Sequence, residues 1–269
     1  MSLSSVLFLF LAHLGVGIAF TLVFVSREAG VKFFRFNAGL SAILLVIAVA
    51  FNAQDAQIVT PASALALIAL VVSTGLMVFY WATVGRILTK IRPTILGFAV
   101  IFGLIATVLQ GLSVGLAQSW PRMVLIVASF LSSAALLGGA CTAMILGHWY
   151  LILPSMQVSH LQSIVKLHIA SMLVRVVVVA AAVFFAIATW QPGLGPSFRH
   201  YITSIDGIFF WQRVLFGLAG PAVLSYLTWE TAKIRSTQSA TGILYVDFFT
   251  VVVGEVLAKY ILLATRVPV

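Results

Sequence analysis

The sequence predicts an all-α integral membrane protein, an eight-transmembrane-helix bundle, on three observations. Hydrophobic residues make up 62% of the 269 positions and charged ones only 8%, and mean hydropathy is +1.17, far above the range of soluble domains. Apolar runs of about 20 residues, the length that crosses a bilayer as a helix, recur eight times along the chain. Runs such as VRVVVVAAAVFFAIATW are apolar all round, whereas a barrel strand alternates apolar and polar residues.

The predicted spans lie near Leu3–Val25, Asn37–Asn52, Pro61–Val84, Thr94–Ala117, Val124–Leu151, Leu167–Trp190, Ile208–Trp229 and Ala240–Ala264. Little is left for a soluble domain, so the chain reads as a single transmembrane domain over 1–269. Its first four-helix half covers about 1–118 and its second about 119–269. The first run has no basic flank before it and is long for a signal core, which predicts a retained span. Gly15 and Gly17 in span one, Gly111 and Gly115 in span four, and the SSAALLGGA stretch of span five leave room for close helix contact. Pro221 predicts a kink in span seven, because proline removes a helix hydrogen bond.

Charge gives the orientation. The loops after spans one, three, five and seven carry Arg27, Lys32, Arg35, Arg86, Lys90, Arg92, Lys166, Lys233 and Arg235, while the others hold little beyond Arg122 and Arg199. By the positive-inside rule both termini face the non-cytoplasmic side of a cytoplasmic (inner) membrane. The net charge of +9 is thus a topology signal. It is scattered through short loops rather than gathered into a stripe, so a nucleic-acid partner is not predicted. The single cysteine, Cys141, lies within span five. This excludes a disulfide framework, a CxxCH haem attachment and a cysteine-ligated iron–sulfur cluster.

Polar residues within apolar runs are the candidate functional groups, because they are costly in a bilayer. His13 sits near the middle of span one, Gln110 in the outer half of span four, and Asn52 at the outer end of span two. Three of the five histidines, His148, His160 and His168, cluster around the junction of spans five and six. Counting from the ends of the runs puts His148 and His168 at similar depth on adjacent helices, a geometry for two ligands of one haem. The same histidines beside Trp149 and Tyr150 also read as interfacial anchors. Spans six to eight hold Arg175, Arg213, Asp247, Glu255 and Lys259. Depth, at about 1.5 Å per residue, proposes Arg175–Asp247 and Arg213–Glu255 as pairs, with Lys259 one turn from Glu255. Such pairs either neutralise one another or form a proton path.

The whole layout resembles the membrane-anchor subunits of the dimethyl sulfoxide and polysulfide reductase type, the DmsC/NrfD-like group. The resemblance is carried by SFLSSAALLGGA in span five, FFWQRVLFGLAG in span seven and GEVLAKYILLAT in span eight, the last placing Gly254, Glu255 and Lys259 at the group's spacing. It implies a quinone or quinol site near the outer face, among the first four helices, with His13 matching a quinol-contacting group and Gln110 and Asn52 as neighbours. It also implies an iron–sulfur partner and a catalytic subunit, so that the chain is one subunit of a multi-subunit oxidoreductase. The GHWYLILP stretch and the loop after span two depart from the group's pattern. Three alternatives stay open: a b-type cytochrome with haem on His148 and His168, a proton-coupled transporter, and a structural membrane subunit. The two halves carry no clear repeat of the kind transporters use.

Overall fold

The computed structural model describes residues 2–54, 60–86, 91–115, 119–153, 157–191 and 197–269. Within them the chain is helical, with no strand, and eight helices are long and apolar enough to cross a membrane. The long helices are α1 (Leu3–Leu22), α2 (Gly30–Gln54), α3 (Pro61–Thr83), α4 (Arg92–Gly115), α5 (Trp120–Ile152) and α6 (Val158–Ala188). A short α7 (Phe198–Thr203) precedes the seventh span, which is built from α8 (Ile208–Val214), a π-helical stretch Leu215–Ala219 and α9 (Gly220–Lys233). The eighth is α10 (Thr237–Thr265).

Two helices start well before their apolar runs. The second begins at Gly30 rather than Asn37, and the sixth at Val158 rather than Leu167. In both, polar and basic residues occupy the first turns, where they reach the interface while the backbone is already helical. Arg35 shows how, its guanidinium lying 5.9 Å from the centre of the Trp81 ring. The expected distortion at Pro221 takes the form of the preceding π stretch. A wide turn there relieves the clash between the proline ring and the carbonyl four residues before it.

Neighbour relations close into two rings. In the first, α1, α2, α3 and α4 contact one another in sequence and α4 returns to α1; in the second, α5, α6, α9 and α10 do the same, α10 returning to α5. The seam is made by α1 and α4 against α5, and by α1 against α10. Consequently α1 is the most buried span.

Glycines set the closest approaches, since helices in lipid gain from packing and not from burial. Gly17 of α1 lies directly on Gly138 of α5, and any Cβ on either would strike the other helix's backbone. The Thr21 and Thr142 hydroxyls bond at 2.6 Å one turn along the same crossing. Gly217 and Gly254 make an equally close contact between the π stretch and α10. Hydroxyl bonds from Ser41 to the Gly15 carbonyl and from Ser73 to the Ala99 carbonyl, each 2.7 Å, tie α2 to α1 and α3 to α4. Each such bond contributes about 0.6 kcal/mol.

Gly138→Val should therefore destabilise the detergent-solubilised protein by about 1–3 kcal/mol, the usual penalty for forcing a side chain into a packed site. Gly75→Ala, where a Cβ meets nothing within 4 Å, should leave thermal unfolding unchanged or slightly improved. Equal behaviour of the two variants would show that the α1–α5 crossing is not glycine-dependent.

Candidate functional site: a buried charge cluster beside His13

The site is organised by one face of α10. Asp247, Val251, Gly254, Glu255, Ala258, Lys259 and Leu262 all point inward from it. Glu255 is fully buried, and its carboxylate accepts five hydrogen bonds. Oε1 receives Arg175 Nε and Arg213 Nη2, each at 2.9 Å. Oε2 receives Ser133 Oγ at 2.5 Å, Lys259 Nζ at 3.0 Å and Arg175 Nη2 at 3.2 Å. Lys259 also donates to Ser133 Oγ. One carboxylate thus gathers three cations from α6, α8 and α10.

Arg175 is the most widely connected member. Its Nη1 donates to Ser129 Oγ at 2.6 Å and to the Ser129 carbonyl at 3.2 Å, and its Nη2 reaches the Val269 carbonyl at 3.2 Å. The latter bond forms because the chain turns at Arg266, whose φ of 61° ends α10, and sends the buried Val267 and Val269 back into the bundle. Arg213 differs: its Nε and Nη1 have no partner in hydrogen-bond geometry. Its guanidinium fills the space over Gly217 and Gly254 that side chains would otherwise occupy.

The depth-based pair Arg175–Asp247 is not formed. Asp247 Oδ2 instead lies 2.7 Å from His168 Nε2, both side chains fully buried, and Arg175 is turned toward Glu255. The His168–Asp247 contact is close, but its geometry is not that of a hydrogen bond. The expected Arg213–Glu255 and Lys259–Glu255 contacts are present. Depth misled because α6 starts nine residues earlier than its apolar run, which moves His168 from the interface to the helix interior.

That shift also separates the two histidines expected to share a haem. His168 packs against Gly139 of α5, nine residues, or about 13 Å of helix rise, from His148. His148 is exposed and receives or donates a 3.1 Å bond with the Tyr245 hydroxyl. His160 binds Glu28 at 2.7 Å near the surface. The structure thus does not bring His148 and His168 to one depth on facing helices, as their spacing predicts, and each of the three histidines has a different neighbour: Tyr245, Glu28 and Asp247. Among the described residues there is no group of three or more His, Cys, Asp or Glu arranged to hold a metal.

His13 stands at the border of the two rings. It is fully buried, its ring edge-on to Phe130 at 4.7 Å between centroids. Lys259, Glu255 and Arg175 are close enough to act on it electrostatically, and the Gln110 side chain faces it. The facing is not a formed hydrogen bond: neither ring nitrogen of His13 and neither amide atom of Gln110 has a partner in hydrogen-bond geometry. Buried polar atoms without partners are few in folded proteins and call for an explanation. Asn52 does not join them. It is half-buried and two residues from the end of α2, whereas His13 is ten residues inside α1, a depth difference of about 12 Å.

A cavity of about 250 Å³ lies one turn beyond His13, lined by Val16, Leu104, Leu131, Ser132, Ala135 and Val174 among others. Val174 is exposed on the lipid-facing surface, so the cavity opens toward the bilayer. The sequence reading placed Ser133 on a packing face and gave no role to Ser129, Phe130 or the Val269 carbonyl. Ser129 and Ser133 stand four apart on α5, which reads equally well as a packing face. No family model, no curated protein and no solved structure matches the chain.

The geometry fixes which charges are coupled. In double-mutant cycles read by thermal unfolding, Arg175→Ala with Glu255→Ala should be strongly non-additive, because removing one partner of a buried pair costs about 3–5 kcal/mol and removing the second costs little more. Arg175→Ala with Asp247→Ala should add to within about 0.5 kcal/mol. The reverse pattern would restore the pairing expected from depth.

Proposed function

We propose that the protein is the quinone-reactive membrane subunit of a respiratory electron-transfer complex, with His13 and Gln110 binding the quinol head group. The observation that carries this reading is the pair itself. Two buried polar side chains face each other with no polar side-chain atom in hydrogen-bond geometry with a partner, and about one turn along α1 from His13 begins an apolar cavity, lined by Val16, Leu104 and Val174 among others and by neither of the two. A quinol ring suits such a place, since it is flat and apolar with two polar edges to be satisfied.

Quinol, when bound, supplies two electrons and two protons. His13 accepts these two protons in turn, handing the first on toward water before taking the second, because imidazole is the one side chain whose ordinary pKa lies near neutral pH. Gln110 orients the head group through its amide. Phe130 holds the imidazole ring edge-on and fixes its direction. The charge cluster, with three cations to one carboxylate, sets a positive field beside His13 and favours departure of the proton once it is taken. An iron–sulfur partner and a catalytic subunit, as the resemblance to the reductase anchors implies, take the electrons onward. The cytochrome alternative lacks a supporting ligand pair.

The orientation belongs to the same proposal. The start of α1, the end of α4, the start of α5 and the end of α10 share one side of the bundle, and His13 and Gln110 lie in that half. Arg27, Lys32, Arg35, Arg86, Arg92, Lys166, Lys233 and Arg235 lie toward the other, which we assign to the cytoplasm of a cell with this protein in its inner membrane.

Two measurements test the reading. His13→Gln keeps a hydrogen-bonding side chain but cannot act as a base, so quinol oxidation by the assembled complex should fall about 10²-fold or more. Wild-type turnover with unchanged inhibitor sensitivity in a normally assembled variant would refute the site. For topology, cysteines placed at Ser2 and Ser236 should react with an impermeant reagent from opposite sides of the membrane, the native Cys141 being buried and silent. Labelling of both from one side would refute the orientation.

A further inference from the structure

On the basic side of the bundle, the four helices of the first ring do not close at their ends. They leave a cavity of about 310 Å³ to which each contributes: Leu22 from α1, Phe34 from α2, Tyr80 from α3, and Arg92, Leu96 and Gly97 from α4, with Arg27 on the connecting segment. The floor is apolar and the rim carries two guanidinium groups. Tyr80 is buried, and Arg92 and Arg27 are both near enough to its hydroxyl to act on it electrostatically. No carboxylate lines the cavity among the described residues. The nearest one in sequence, Glu28, is occupied with His160 at 2.7 Å. Gly97 marks an opening in the wall, since a Cβ there would meet no other atom within 4 Å.

We propose that this cavity is a binding site for an anionic phospholipid, with the headgroup phosphate between Arg27 and Arg92 and an acyl chain against Leu22, Phe34 and Leu96. Three features select that ligand. The cavity lies at the ends of the helices, where headgroups sit, and not at mid-membrane. It combines paired cations with an apolar floor, which matches an amphiphile with a negative head and neither a neutral quinone nor a fully hydrated anion. Basic pockets between transmembrane helices on the positively charged side are suited to anionic headgroups. The site is on the opposite side of the bundle from His13 and does not depend on the quinol assignment. Its occupant would staple the four ends of the first ring, to each of which the cavity wall belongs.

The test is a thermal-unfolding titration of the delipidated full-length protein in a neutral detergent, with phosphatidylglycerol, phosphatidylcholine or inorganic phosphate added. Phosphatidylglycerol should raise the midpoint in a saturable way, and neither phosphatidylcholine nor inorganic phosphate should match it. Arg27→Gln and Arg92→Gln should each weaken the apparent affinity about fivefold, the loss expected for one basic contact near the surface. Gly97→Leu should fill the cavity without a clash, leaving the lipid-free midpoint unchanged while abolishing the response. An unchanged response in Gly97→Leu would place the lipid elsewhere and overturn the proposal. So would equal stabilisation by phosphatidylcholine, or a full response to inorganic phosphate, which would make the ligand a free anion. If Gly97→Leu fails to accumulate, the arginine variants decide, and wild-type affinity in both overturns it.

Discussion

The second ring depends on the Glu255 carboxylate. Arg175, Arg213 and Lys259 are each almost fully removed from solvent, and each would be prohibitively expensive in a bilayer without a counter-charge. A single carboxylate on α10 serves all three, and Ser133 adds a bond from α5. Four segments are thereby locked in register, because no helix can slide or rotate without breaking a bond to the same two oxygens. The remaining N–H groups of Arg175 are taken by Ser129 and by the Val269 carbonyl, which also fixes the tail. Replacing such a cluster wholesale by apolar residues need not destabilise a protein, but losing one member does. The arrangement therefore enforces a unique packing more than it contributes net stability.

Close packing is what permits the charges to meet. The Gly217–Gly254 contact lets the π stretch lie against α10, and Arg213, four residues before Gly217, then reaches Glu255 across the contact. The Gly17–Gly138 crossing does the same for the seam between rings, and it brings α1 deep enough for His13 to feel the cluster. Small residues and buried charges are parts of one device here: backbones approach where side chains are absent, and the long cationic side chains fill what is left.

Much of this was legible in the sequence, and the limits have physical causes. A bilayer of about 30 Å demands long apolar runs, so the eight spans stand out from the background. The ionisable residues within them stand out for the same reason, and Arg175, Arg213, Asp247, Glu255 and Lys259 were all identified. Depth also gave the Arg213–Glu255 and Lys259–Glu255 pairs, but not the partners of Arg175 and Asp247, since pairing depends on helix rotation and on true helix ends. The polar stretch Val158 to Lys166 hid the first turns of α6. A signal was nevertheless present: Leu161, Ile164, Val165, His168, Met172 and Arg175 follow three- and four-residue steps along one buried face. Extending that period backward from the apolar run would have placed His168 inside the bundle with Arg175. Nothing comparable announces that Asp247 faces His168 or that the tail returns to Arg175, because both rest on contacts between segments distant in sequence.

The order of groups along the bundle bears on where protons can go. His168 and Asp247 each lie ten residues from the basic-side end of their helices, and His13 lies ten residues from the opposite end of α1. Glu255 is likewise ten residues from the C-terminal end of α10, level with His13, and Lys259 lies one turn nearer that end, so the charge cluster stands beside His13 and not between it and the His168–Asp247 contact. Three cations held there by one carboxylate disfavour a further positive charge at that depth, whichever face it comes from.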